Sequence, residues 1–230
     1  MDCRKFLQLM RRRARLNAGG GASAIPAPAV TALYLPFNDD FATAYANGEV
    51  VSPGTVNNGN SLPTSAITYK NVKCCRVGNA MYIANLALPA DWQKGSFCFT
   101  IWVNVTDSSS QKVIVGSKIE VQPWNGKWTI WFGSGTGTGG LFFEAIPVTR
   151  DDWHFIMLGY DAASKKAYAR YDDQQKEVSC TYGQGDSSIS LFSQGGRNQF
   201  SGYASRFRFF TYMPTADQIN ALRNELHPIK

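Results

Sequence analysis

The residues whose types could support acid–base catalysis are His154, which of the two histidines is the one within a strand pattern, and three pairs of adjacent carboxylates: Asp39-Asp40, Asp151-Asp152 and Asp172-Asp173. Cleavage of a glycosidic bond needs two carboxyl groups that face one cleft. Adjacent residues of a strand point to opposite faces, so these pairs are better explained as turn residues. No Gly-x-Ser-x-Gly motif supplies a nucleophile. The sequence therefore predicts a protein that is not an enzyme, with His154 in a structural role.

Aromatic rings beside polar side chains offer a second chemistry, because sugars stack on aromatic faces while their hydroxyls bind planar polar groups. The candidate glycan-binding residues are Trp92, Trp124, Trp128, Arg197, Asn198 and Tyr203. Of these, Trp92 and Trp124 stand beside turn signals and are the better candidates for exposure, although packing against a loop would explain them equally well. Three further tryptophans lie inside strand patterns and are predicted core residues: Trp102, Trp131 and Trp153.

Metal ligands are weakly represented. Calcium binds six to eight oxygens, and the side chains that could supply them, without a fixed spacing, are Asp39, Asp40, Asn57, Asn58 and Asn60. The five cysteines also lack metal-binding spacing and are predicted to be mainly buried free thiols: Cys3, Cys74, Cys75, Cys98 and Cys180. We expect no cofactor, with calcium at Asp39 and Asp40 as the weak alternative.

The basic charge is concentrated at the start of the chain. Of 23 basic and 17 acidic side chains, six basic and one acidic lie within Met1 to Leu16, so the rest is nearly neutral. This segment has the spacing of a short amphipathic helix, and we expect it to be an anchor that binds a partner surface, unless it is a solvated tail. Its candidate contact residues are Arg4, Phe6, Leu7, Met10, Arg11, Arg12, Arg13 and Arg15. A Gly/Ala/Pro-rich linker is predicted over 17–31, ahead of one domain over 32–230.

Alternation of apolar residues predicts short strands through most of this domain. Phe99 to Val105 has apolar residues on both faces, as in a central strand, and Asn125-Gly126 is the favoured two-residue hairpin turn. Gly133 to Gly140 is predicted to be a loop. The other predicted strands are Ala32 to Phe37, Met81 to Ala84, Lys112 to Ser117, Trp128 to Gly133, Leu141 to Ala145, Trp153 to Tyr160, Lys166 to Tyr171, Glu177 to Tyr182, Ser188 to Phe192 and Gly202 to Thr211.

One helix follows the strands. Thr215 can cap it, with Gln218 completing a capping box, and the helix is predicted to end near Pro228. Its apolar face comprises Ile219, Leu222 and Leu226. Many strands closed by one short helix predict an all-β protein, built as a two-sheet antiparallel sandwich or jelly roll.

Several segments resemble the laminin-G-like branch of the concanavalin A-like lectin/glucanase superfamily. The resemblance extends from about Ala32 to Leu226, and its segments are Ala32 to Asp40, Phe99 to Val103, Asp152 to Asp161, Gly195 to Arg197, Phe200 to Tyr203, Phe207 to Phe209, Met213 to Thr215 and Gln218 to Leu222. It implies a jelly roll of one domain. It implies little about the ligand, because this fold hosts lectins, adhesion modules, hydrolases and structural domains.

A basic anchor, a tether and a nearly neutral β-sandwich lead to one main hypothesis on function. We expect a non-catalytic virion structural or decoration protein of a bacteriophage, made in the host cytoplasm without a secretion signal. The anchor would bind other virion proteins or contact nucleic acid, and the sandwich would bind cell-surface glycans or stabilise the particle. The alternatives are a stand-alone carbohydrate-binding, lectin-like module and a diverged glycoside hydrolase. No apolar run is long enough to span a bilayer.

Overall fold

The structure is a computed structural model that describes residues 31–38, 40–58, 65–78, 81–107, 111–133, 146–182, 188–193 and 199–225. The predicted anchor and all but the last residue of the predicted linker lie outside these ranges. So do the predicted strand Leu141 to Ala145 and most of the predicted loop after Gly133.

Within these ranges the chain forms two antiparallel sheets. The larger has ten strands, and its main path runs β15-β14-β13-β8-β17-β1-β2-β3, while β6 pairs with β17 and β5 with β6. Its strands are β1 (Leu33–Leu35), β2 (Ala44–Ala46), β3 (Glu49–Val51), β5 (Ile67–Tyr69), β6 (Val72–Val77), β8 (Phe97–Val105), β13 (Trp153–Asp161), β14 (Lys166–Tyr171), β15 (Gln174–Ser179) and β17 (Gly202–Phe210).

The smaller sheet has seven described strands, in the order β12-β11-β10-β9-β16-β7-β4. They are β4 (Thr55–Asn58), β7 (Met81–Ala84), β9 (Ile114–Val115), β10 (Ile119–Trp124), β11 (Lys127–Phe132), β12 (Ile146–Pro147) and β16 (Ser190–Leu191). A one-turn 3₁₀ helix, Trp92–Lys94, precedes β8. The predicted all-β jelly-roll sandwich is confirmed.

The central strand β8 explains how the layers are held together. All nine of its residues are buried, because both of its faces carry apolar side chains, as the sequence predicts. Phe97, Phe99 and Ile101 point into the main core between the sheets. Cys98 and Trp102 point to the opposite face, into a second core. Burial on both faces is typical of a strand covered by two layers.

The second core lies beneath the single described helix, α1 (Ala216–Asn224). The predicted capping box is present: the Thr215 hydroxyl accepts from the Gln218 amide, and the Gln218 side chain accepts from the Thr215 amide. Ile219 and Leu222 are buried against Trp102, whose Nε1 donates to the Leu222 carbonyl at 3.2 Å. The helix ends at Asn224, earlier than predicted, and Leu226 lies outside the described residues.

A β-bulge in β17 fixes the end of α1. The register shifts between Ser205 and Arg208, where Arg206 adopts a positive φ of 51°. Both arginines then bind Glu225, just beyond α1: Arg208 through two nitrogens at 2.8 and 2.9 Å, and Arg206 through Nε at 3.1 Å. Charge-assisted, two-pronged contacts of this kind are among the stronger hydrogen bonds in proteins.

Most predicted strands are confirmed, with ends that differ by a few residues. The sequence does not predict β2 to β6, β10 or β12, and the predicted strand Glu177 to Tyr182 begins earlier, at Gln174. Cys74, Cys75 and Cys98 are buried free thiols and Cys180 is half-buried, as expected for the described cysteines. No helix of the described ranges has the length and apolar character needed to cross a membrane.

Candidate functional site

The hairpin of β10 and β11 lies near one edge of the smaller sheet, next to the two-residue strand β12. Trp124 pairs with Lys127 across the turn Asn125-Gly126. Both turn residues have positive φ, 49° and 73°, which is the conformation of a type I′ turn. The predicted hairpin turn is therefore confirmed, and it places Trp124 and Lys127 side by side at the tip.

Alternation decides which side chains of this hairpin face solvent. Along β11, Trp128, Ile130 and Phe132 are buried in the main core. The residues that alternate with them therefore lie on the outer face of the sheet: Lys127, Thr129 and Trp131. The register places three residues of β10 opposite them on the same face: Trp124, Gln122 and Glu120.

A depression of about 330 Å³ lies on this face, lined by Trp124, Asn125, Lys127 and Thr129. The Trp124 residue is 45% exposed, which is unusual for so large an apolar side chain. The lining adds an amide, an ammonium and a hydroxyl group, which together donate and accept hydrogen bonds. We refer to this depression and its four lining residues as the Trp124 site.

Gln122 lies next to the Trp124 site, directly opposite Thr129. Both residues are nearly buried, at 8% and 9% exposure. The Gln122 Oε1 atom is buried and has no hydrogen-bond partner among the described residues. An unpaired buried carbonyl is costly for a folded protein, so this acceptor would be stabilised by a donor from a bound molecule or water.

Trp131 occupies the far end of the same face and is half-buried. Its indole lies against Gly133, where a Cβ atom would come within 2.7 Å of the ring. The sequence-based prediction that Trp131 is a core residue is therefore wrong. Trp131 lies three residues after Trp128, so the two side chains point to opposite faces of the strand. This alternation is the signal that could have identified Trp131 as a residue of the outer face.

The charges on this face are partly compensated. Glu120, opposite Trp131, forms an ion pair with the nearly buried Lys112. Lys127 has no ionic partner among the described residues, and none of the described residues that line the Trp124 site is acidic. Within the described part of the chain, the positive charge of Lys127 is therefore not compensated.

Two of the predicted glycan-binding tryptophans are unsuited to that role. Trp92 is only 7% exposed, because the 3₁₀ helix inserts its indole between Phe97, Phe99 and Phe209, with ring centroids 4.8 to 5.7 Å away. Trp128 is fully buried in the main core. The expectation that Trp92 is exposed is therefore wrong, and neither ring offers a free face to a sugar.

Of the other predicted glycan-binding residues, only Tyr203 is described, and it does not lie near Trp124. Tyr203 lies on the larger sheet with its side chain near the second core, on the far side of the sandwich from Trp124. Its ring stacks on Tyr69 with centroids 3.9 Å apart, so that face is covered. Arg197 and Asn198 lie outside the described residues. Of the predicted set, only Trp124 combines exposure with polar neighbours in the structure.

His154 is buried beside Asp172, the residue at the tip of the β14–β15 hairpin. Its Nδ1 lies 2.8 Å from Asp172 Oδ2, and its Nε2 lies 3.3 Å from the Thr149 carbonyl oxygen. The other carboxylate oxygen of Asp172 accepts from the Phe155 amide at 2.8 Å. Both ring nitrogens are thus engaged, Nδ1 with the hairpin and Nε2 with the segment that precedes β13, which is consistent with the structural role expected for His154.

The weak calcium candidates are only partly described. Asp40 Oδ1 accepts from the backbone amides of Ala42 and Thr43, at 2.8 and 2.5 Å, and so closes a local turn. Asp39 lies outside the described residues. Over the described ranges, no group of three or more His, Cys, Asp or Glu residues could hold a metal ion.

Comparison with known proteins gives a fold but no family. No family model and no curated protein matches the chain. Among solved structures, domain 4 of AbnA, a GH43 extracellular arabinanase from Geobacillus stearothermophilus, in complex with arabinotriose, is similar with a TM-score of 0.61 and 18% identity. That match covers 84% of this chain and 98% of the other.

Two further solved structures share the fold. A mutant of Trypanosoma rangeli sialidase that displays trans-sialidase activity matches with a TM-score of 0.60 at 12% identity, over 90% of this chain and 34% of the other. A receptor-binding domain matches with a TM-score of 0.56 at 10% identity, over 87% and 52%. The chain thus spans about a third of the former and half of the latter. These likenesses confirm the β-sandwich fold.

Proposed function

We propose that this protein is a non-catalytic carbohydrate-binding module that holds its glycan at the Trp124 site. The observation that carries the proposal is the exposed indole of Trp124 beside a depression with amide, ammonium and hydroxyl groups. A sugar ring presents an apolar face to an indole while its hydroxyls bind polar groups at the edge. An open depression of this kind on a rigid sheet suits a binding site that needs little rearrangement.

The fold supports the proposal without establishing it. The arabinanase domain that shares the fold was solved in complex with arabinotriose, so this type of sandwich can hold a short sugar chain in another protein. The proposal that the module is non-catalytic rests on the sequence and on His154, whose ring nitrogens both contact protein oxygens.

The test is binding of the full chain to a glycan array, followed by calorimetry with each glycan that binds. Trp124→Ala should weaken binding by at least about tenfold, equivalent to about 1.4 kcal/mol, without lowering the melting temperature. Val50→Ala is the matched control, because Val50 is an exposed apolar residue at the edge of the larger sheet. A wild-type protein that binds no glycan, or a Trp124→Ala variant that binds normally, would disprove the proposal.

A second proposal concerns how the module is displayed. The basic amphipathic segment Met1 to Leu16 and the linker after it would anchor the sandwich to a bacteriophage virion, through other virion proteins or packaged nucleic acid. The observation that favours this role is the concentration of six basic residues in one short segment. Removing residues 1–30 should abolish incorporation into particles while glycan binding is retained. Normal incorporation of the truncated protein would contradict it.

A further inference from the structure

Trp124 and Trp131 lie on one face of the same hairpin. Trp124 is paired with Lys127, and Trp131 lies four residues further along β11. At about 3.3 Å per residue this separates the two positions by about 13 Å along the strand. They also lie on adjacent strands, about 4.8 Å apart across the sheet. This span exceeds one sugar ring and suits several linked rings.

The surface between the two tryptophans is formed by polar residues. Gln122 and Thr129 form its floor, and both are nearly buried. The Oε1 atom of Gln122 has no hydrogen-bond partner in the described part of the chain. A hydrogen bond from a ligand hydroxyl or a water molecule to this acceptor would be stabilising.

The position of Trp131 is set by a specific feature of the backbone. A Cβ atom at Gly133 would come within 2.7 and 3.0 Å of two ring carbons of Trp131, and within 3.1 Å of the Lys118 side chain. A glycine therefore allows the indole to lie flat along the strand. On the opposite strand, the ion pair of Glu120 with Lys112 neutralises the charge beside the ring.

From this arrangement we infer that the ligand is an extended oligosaccharide that runs along the β10–β11 hairpin and contacts Trp124 and Trp131 at the same time. The inference rests on the proposed function and defines the ligand class: a chain of several linked sugars rather than a single residue. Trp124 supplies the primary contact because it is the more exposed ring and borders the depression. Trp131 contributes only when the chain is long enough to reach it.

The experiment is calorimetric titration of the full chain with arabino-, xylo-, cello- and N-acetylglucosamine oligosaccharides, from the monosaccharide to the hexasaccharide. Affinity should rise with chain length and then level off. Trp131→Ala should lower the affinity for the hexasaccharide by about threefold to tenfold and leave that for the monosaccharide unchanged. Trp124→Ala should weaken binding at every length.

Other outcomes separate the inference from the proposed function. If the monosaccharide binds as tightly as the hexasaccharide, or Trp131→Ala behaves as wild type, the inference of an extended ligand is wrong, but the proposed glycan-binding function stands. Tyr82 is a half-buried residue of β7, another strand of the smaller sheet. If Tyr82→Ala rather than Trp131→Ala removes the gain in affinity with ligand length, the ligand runs across the sheet and the inference fails. If no oligosaccharide binds the wild type, both fail.

A measurement on the wild-type protein tests the inference even if the Trp131→Ala variant does not fold. N-bromosuccinimide oxidises accessible indoles, and mass spectrometry of peptides can follow Trp124 and Trp131 separately. The hexasaccharide should protect both, and the monosaccharide should protect Trp124 alone. Equal protection of Trp131 by the two ligands, or protection by neither, would overturn the inference.

Discussion

The indole of Trp131 lies directly against Gly133, so that a Cβ atom on this glycine would come 2.7 Å from Cη2 of the ring and 3.0 Å from Cζ2. Carbon atoms in proteins essentially never approach so closely, so any larger residue must displace the indole. Because the obstacle is a side chain rather than backbone, the ring can move while the strand stays in place. The glycine therefore determines how Trp131 is presented on the outer face.

Gly133→Ala should consequently weaken oligosaccharide binding without unfolding the protein. We expect the affinity for a hexasaccharide to fall by a factor similar to that of Trp131→Ala, about threefold to tenfold, while the monosaccharide binds as before. Calorimetry measures both. In the Trp131→Ala background the same glycine substitution should have no further effect, because the ring it displaces is gone. Additive losses in the double variant would contradict this coupling.

Gly126→Ala should destabilise the hairpin that carries Trp124 and Lys127. Gly126 has a φ of 73° and no atom within 4 Å of a built Cβ, so the cost is conformational alone. An alanine in this left-handed region costs about 1–2 kcal/mol. We expect a loss of that size in the free energy of unfolding, measured with urea, and weaker glycan binding.

Gly95→Ala provides the matched control for this change. Gly95 also has open space around a built Cβ, but its φ of −115° is acceptable to any residue. The Gly95→Ala variant should therefore keep the free energy of unfolding and the glycan affinity of the wild type. If the two alanine variants are equally stable, the turn conformation does not limit the hairpin.

The layered fold was predictable because the long strands carry apolar side chains on both faces and are buried almost throughout. Phe99 and Trp102 of β8 face opposite cores, as the apolar pattern on both faces indicates. Several strands that the sequence did not predict are short, such as Ala44–Ala46 and Ile67–Tyr69, with three residues each, although β6 and β10, with six residues each, were also missed. Three residues carry too little alternation to be recognised, and they are extended because neighbouring strands pair with them.

The candidate site was predictable only in part, because a turn signal locates a residue near the surface without saying which way its side chain points. Trp124 and Trp92 both stand beside such signals. Asn125-Gly126 continues a regular hairpin and leaves Trp124 on the outer face, whereas the 3₁₀ helix turns Trp92 inward onto Phe97. That difference depends on a cluster of aromatic residues distant in sequence.

Asp172→Ala should destabilise the larger sheet. The Asp172 carboxylate accepts from the Phe155 amide and contacts His154, and its φ is 50°. Loss of these contacts, together with an alanine in a left-handed conformation, should lower the free energy of unfolding by about 3 kcal/mol. Glycan affinity should not change, since this hairpin belongs to the other sheet.

The neighbouring residue serves as the comparison in the same urea experiment. Asp173 has a largely exposed side chain that pairs with Arg223 of α1, and an exposed ion pair contributes at most about 1 kcal/mol. Asp173→Ala should therefore be much the milder change. Equal losses in the two variants would show that the His154–Asp172 contact does not stabilise the fold.

Alkaline pH should destabilise the protein through Cys74. This residue is fully buried on β6, and burial raises the pKa of its thiol from 9.0 to about 11. Between these values the unfolded chain releases the thiol proton while the native protein keeps it, so rising pH favours unfolding. Below pH 9 both states hold the proton and the group adds no pH dependence.

Cys74→Val tests this through the slope rather than the absolute stability, because it removes the titrating group while preserving most of the buried apolar volume. The free energy of unfolding, measured with urea from below pH 9 to pH 11, should fall less steeply for the variant than for the wild type. Other groups that titrate in this range are shared by both proteins, so the difference in slope isolates the thiol. Parallel curves would mean that Cys74 ionises equally in the folded and unfolded states. A Cys74 thiol that reacts readily with iodoacetamide near pH 9 in the native protein would lead to the same conclusion.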